Sequence, residues 1–254
     1  MQRKGLWIWC YIGIVGCVFG YPATVFSSIQ RIFLKYNGNV EARVWTDPGQ
    51  GPRHRVPAIV YVYDEFLDRV GEPRAIQEGY SVNQHILAFS RWDVVVIVPM
   101  ERYRRLNAVQ GAIQYARKMP QVDPNRIHIV GISEGAVIGL AAAQSTRVRS
   151  VTAITPLEIN DKGVYSYLHY ASGRLLTTPI MLMSSEYDKH WEKLDNRRLR
   201  WFFKTNRQFE HRIYLQDRVG FWDPTRSFMW DIRNFIYRNG GVSIHESTNP
   251  RQSF

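Results

Sequence analysis

Apolar residues gather in short dense runs separated by stretches of helical period. Residues 58–63 (AIVYVY), 94–98 (VVVIV) and 127–130 (IHIV) are nearly continuous apolar runs, the mark of strands buried on both faces. Residues 27–35 and 40–46 are strand-like and joined at Asn37-Gly38, which predicts an antiparallel hairpin ahead of them. Between the buried runs, residues 73–89 and 106–117 carry helical period, and residues 135–143 form a helix of small side chains. Pro99 is expected to stop the second buried strand. Further strands are predicted at residues 150–154, 180–183 and 212–215, and further helices at 191–204 and 225–237. Alternation of this kind argues for an α/β domain over residues 24–241: a mostly parallel sheet, helices on both faces, and a leading antiparallel hairpin. Residues 242–254 read as a polar tail.

Composition narrows the field. A chain of 254 residues, 45% hydrophobic and 22% charged, suits one globular domain behind a leader. The net charge of +11 comes mostly from scattered arginines. No basic helix or zinc-ligand spacing organises them, so a nucleic-acid partner is not expected, and a basic surface facing anionic lipid is the simpler reading. Cys10 and Cys17 are the two cysteines of the chain and both fall in the leader, so the folded domain has no internal disulfide.

Residues 1–22 begin with Arg3 and Lys4, continue as an apolar run from Gly5 to Gly20, and end at Tyr21-Pro22. That is the layout of a secretory signal, with a run shorter than the roughly twenty residues of a comfortable membrane span. Ile14-Val15-Gly16-Cys17 resembles a bacterial lipobox. A lipidated cysteine, cleavage after Gly20, an uncleaved anchor and a buried helix all fit this pattern. The first three put the domain in the cell envelope or outside the cell, at a membrane.

The chemistry concentrates at Gly131-Ile132-Ser133-Glu134-Gly135, which follows a buried strand and opens the small-residue helix. G-x-S-x-G in that context places a serine on a sharp turn above the C-terminal edge of a sheet, with a helix N-terminus beneath it favouring developing negative charge. The alternative is a turn kept as architecture around an idle serine.

From about residue 27 to 237 the chain resembles the dienelactone hydrolase family of the α/β-hydrolase superfamily. The resemblance runs in order through VPAIVYVYDEF, DVVVIVPMERYR and VDPNRIHIVGISEG. It implies Ser133 as nucleophile, where that family often has cysteine, and Asp188, after PIMLMSSEY, as the acid; a helix cap is the bland reading of that aspartate. It implies an oxyanion hole from the backbone N–H groups of Glu134 and of Glu65 or Phe66, and it calls for no cofactor or metal. The family's histidine is missing: in the frame Tyr214 to Phe221, Val219 stands where the base is expected. His190, two residues past Asp188, and His169 are the histidines left to serve, against an ordinary surface role for each. Asp64 and Glu65 bring negative charge to the oxyanion side and oppose the chemistry unless Arg102 or Arg218 pairs with them.

Two functions follow. One is a serine hydrolase of a small ester, thioester or lactone, with impaired activity if the base is lost. The other is a catalytically silent domain used as a binding or scaffold module at the envelope.

Overall fold

A computed structural model of the chain describes residues 29–36, 38–47, 55–156, 177–187, 206 and 208–240. The leader, the polar tail, the helix expected over residues 191–204, Asp188, His190 and His169 lie outside the described residues.

Among the described residues eight strands form one sheet: β1 (Gln30–Lys35), β2 (Asn39–Trp45), β3 (Val56–Val62), β4 (Val95–Met100), β5 (Val122–Ile132), β6 (Ser150–Ile154), β7 (Ile180–Ser185) and β8 (Phe209–Tyr214). Their order across the sheet is β1-β2-β4-β3-β5-β6-β7-β8. β1 and β2 make the expected hairpin, with Lys35 opposite Asn39, and β2 lies antiparallel to β4. From β4 to β8 every neighbouring pair is parallel.

Strand alternation sorts the core into two faces. Ala58, Val60 and Val62 of β3, with Val95 and Ile97 of β4, pack beneath α4 (Arg105–Lys118) and α5 (Glu134–Ser145). Ile59, Tyr61 and Tyr63, with Val96 and Val98, face the other way. There they meet α1 (Phe66–Val70), α2 (Glu72–Gln77), α3 (Val82–Ser90) and α6 (Phe228–Gly240). Both faces of the central strands are buried, which is why their sequences read as continuous apolar runs.

Two predicted boundaries are corrected. The helix expected over residues 73–89 is α2 and α3, separated at Gly79, whose φ of +92° leaves the helical region. Ser81 then caps α3, its hydroxyl accepting from the Gln84 N–H. Pro99 does not stop β4, which runs to Met100 with Pro99 opposite Ala42. β3 pairs with β4 only as far as Ile97, so the missing N–H of Pro99 leaves no ladder bond unmade on that side.

Candidate active site

β5 delivers Ser133 to the C-terminal edge of the sheet, and α5 begins at the next residue. The turn is tight enough to force Ser133 to φ 61°, ψ −125°, a region that costs a non-glycine residue about 1–3 kcal/mol. The surroundings hold it there. The Ser133 N–H donates to the Ile154 carbonyl of β6, and the Ser133 carbonyl accepts from Ala136 in the first turn of α5. Ser133→Gly is expected to be more stable than Ser133→Ala by about 1 kcal/mol, since both lose the hydroxyl and only glycine relieves the φ. Paired urea midpoints measure the difference.

Glu65 is the surprise. It was expected to contribute a backbone donor, yet its side chain lies across the hole: Ser133 Oγ donates to Glu65 Oε2 at 3.0 Å, and the Glu134 N–H reaches the same oxygen at 3.3 Å. Ser133 itself is fully buried. The other expected donor, the Phe66 N–H, is taken by Asp64 Oδ1 at 2.9 Å. The hole is therefore filled by the chain's own carboxylate.

Arg218, not Arg102, supplies the counter-charge. Its Nη2 lies 3.4 Å from Asp64 Oδ2 and 3.6 Å from Glu65 Oε1, whereas Arg102 lies over the Tyr103 ring. Asp64 is wholly buried, with Trp222 Nε1 donating to Oδ2 at 3.1 Å and its N–H donating to the Tyr80 hydroxyl at 2.9 Å. Burial first, and the neighbouring Glu65 second, push the Asp64 carboxyl up to about 6. Burial also works against an ionised Glu65, but hydrogen bonds from Asp64 and Ser133 and the charge of Arg218 outweigh it and hold Glu65 below the usual range. Two adjacent carboxyls thus divide the roles, Asp64 keeping a proton more readily and Glu65 ionised. Glu134 turns away from the hole, paired at 2.5 Å with Arg105, which also donates to the Tyr63 carbonyl and stacks on the Tyr63 ring.

Among the described residues no imidazole bonds to Ser133. His85 stacks on Tyr61, with its Nδ1 bonded to the Ser81 carbonyl. His128 bonds Ser150 Oγ inside the core, where burial above all, then Arg149 and Arg126, drive it down to about 3. His211 of β8 bonds Ser184 Oγ of β7. Val219 lies half-exposed on a 3-10 turn, Arg218–Trp222, and that turn flanks the site through Arg218 and Trp222. The valine side chain at 219 cannot carry a proton. A cleft of about 800 Å³ opens at the other end of the sheet, lined by Arg147, Thr178, Phe209 and Arg238, and shares no residue with these contacts.

No protein family and no curated protein matches the chain by sequence. Solved structures do match in shape. A hyperthermophilic esterase from Pyrobaculum calidifontis superposes with a TM-score of 0.59 at 14% identity, over 84% of this chain and 85% of that one. An esterase from Pyrococcus furiosus gives 0.60 at 12% identity, over 84% and 93%. A thermophilic esterase from the planctomycete Thermogutta terrifontis gives 0.58 at 12% identity, over 86% and 95%. The fold is that of the α/β hydrolases. Within that fold Ser133 stands at the turn from β5 into α5.

The sequence reading put the charge of Asp64 and Glu65 on the oxyanion side but did not foresee the bond from the Ser133 hydroxyl to the Glu65 side chain, because nothing local signals it. Acidic pairs after a strand are common, and only the approach of β3 to the β5–α5 turn brings residue 65 to residue 133.

Proposed function

We propose that this chain is a serine hydrolase that cleaves a small carboxylic ester, thioester or lactone through Ser133. The observation that carries the reading is the strained backbone of that residue, φ 61° and ψ −125°, at the head of α5. A turn with no chemical task has no reason to keep a non-glycine residue there, and relaxation would return about 1–3 kcal/mol. The helix N-terminus and the Glu134 N–H favour negative charge beside the hydroxyl. The esterases of similar shape support the ester class, and the ordered segments of the chain that resemble dienelactone hydrolases support the finer assignment. Asp188 remains the acid proposed from its position after β7. The leader, with Arg3, Lys4 and Cys17, supports a place at the cell envelope, attached to a membrane.

A second reading has its own observation. Val219 in the base's frame and a carboxylate across the hole suit a domain that binds without turnover. A fluorophosphonate probe and p-nitrophenyl acetate separate the two. The hydrolase reading expects covalent labelling and turnover in the native chain, both lost in Ser133→Ala. Unlabelled Ser133 in a folded protein would hand the chain to the binding-module reading.

A further inference from the structure

We propose that Glu65 is the proton acceptor for Ser133, so that the two form a serine–carboxylate dyad. The proposal rests on the hydrolase reading above and assigns the group that the sequence left vacant at Val219.

The geometry is that of a nucleophile, a base and the groups that orient the base. Glu65 Oε2 lies 3.0 Å from Ser133 Oγ, within the reach that proton transfer requires. Its other oxygen lies 3.6 Å from Arg218 Nη2, and the same guanidinium nitrogen reaches Asp64 at 3.4 Å. Trp222 and the Phe66 N–H fix Asp64 in turn. Among the described residues the imidazoles of His85, His128 and His211 are engaged elsewhere, as their bonds to the Ser81 carbonyl, Ser150 and Ser184 record. The depressed titration of Glu65 keeps it ionised, and able to accept, at neutral pH.

One objection decides the order of events. A negative carboxylate beside the Glu134 N–H would repel an oxyanion. Accepting the proton removes that charge. As Ser133 Oγ bonds to the ester carbon, its proton passes to Glu65 Oε2 and the carbonyl π pair moves onto the substrate oxygen. The Glu134 N–H then turns from a neutral carboxyl to a full oxyanion. On collapse the C=O re-forms, the bond to the leaving alcohol breaks, and Glu65 returns the proton to that oxygen. Water repeats the cycle on the acyl-serine: its proton goes to Glu65, its oxygen bonds the acyl carbon, and Ser133 leaves with the proton. A carboxylate is a weak base for a hydroxyl, so the dyad is expected to be slower than a histidine triad.

The test uses the full chain and p-nitrophenyl acetate, with the unfolding midpoint checked for each variant. Glu65→Gln keeps the shape and, through its amide oxygen, the bonds from Ser133 and Glu134, but it loses the ion pair with Arg218 and cannot accept the proton, and turnover should fall about a hundredfold or more. Glu65→Ala should be restored in part by added formate, a free carboxylate that can occupy the vacated space. Turnover equal to or above the native rate in Glu65→Gln would overturn the proposal and make Glu65 an obstruction of the hole. Loss of activity in His190→Ala, with Glu65→Gln still active, would overturn it by moving the base to His190. A native chain that neither turns over nor labels at Ser133 would bring down the hydrolase reading itself, a result separate from the other two.

Discussion

Gly135→Ala is expected to cost at least about 4 kcal/mol and to leave little folded protein. A Cβ built on Gly135 would stand 2.2 Å from the Val62 carbonyl oxygen, 2.6 Å from that of Tyr63 and 2.8 Å from the Val62 carbonyl carbon. All three are backbone atoms at the end of β3. To make room, α5 would have to part from the centre of the sheet, where Val62 and Gly131 are direct neighbours. Overpacking a core costs about 1–3 kcal/mol when side chains can yield. Here none can, and domains of this kind hold only about 5–15 kcal/mol in total. Gly139→Ala, one helical turn on, is the control. Its Cβ meets only the Cγ2 methyl of Ile129 at 2.8 Å, a side-chain end that can move, and alanine gains helix propensity of about 1 kcal/mol. Urea midpoints and soluble yield should separate the two variants clearly. Equal midpoints would mean that β3 and α5 sit further apart than described.

The second large effect is electrostatic. Arg218→Ala should move the acid limb of the pH–rate profile upward by about one unit, so that turnover falls about tenfold on that limb, below the Glu65 value, and little at neutral pH. The sign follows from the cation's place between Asp64 and Glu65. Its charge lowers both carboxyls, and it is one of the influences that hold Glu65 ionised against burial. A base works only when deprotonated, so activity is lost as pH falls through the Glu65 value, and raising that value moves the loss toward neutrality. Asp64, already at about 6, rises further and retains its proton over a wider range. Arg218→Lys keeps a charge and should shift the limb less. An unmoved limb in Arg218→Ala, with the fold intact, would show that Glu65 does not set the profile.

Much of the fold was legible along the chain because its signals are local. The runs at β3, β4 and β5 are apolar throughout because helices cover both faces of those strands, and the Asn37-Gly38 turn announced the hairpin. Gly131, Ser133 and Gly135 marked the turn because contact with β3 allows no Cβ at residue 135, a restriction written into the sequence as glycine. Other features had no local signal. Gly79 in a run of helical period does not reveal that it ends one helix and precedes another, since glycine is tolerated within helices at modest cost. Pro99 stops a strand only where both sides are paired, and pairing is decided by the sheet.

The partnership of Glu65 with Ser133 belongs wholly to tertiary structure. Sixty-eight positions separate the two residues, and no periodicity links them. What joins them is the parallel pairing of β3 with β5, which ends both strands at one edge and sets the loop after β3 against the turn after β5. Arg218 arrives from a third element, the turn after β8. By itself the sequence determined the sheet, the elbow and its serine, because burial and steric exclusion act on neighbouring residues. Only the tertiary structure decided which charge faces that serine, because a hydrogen bond between distant residues depends on where the backbone carries them.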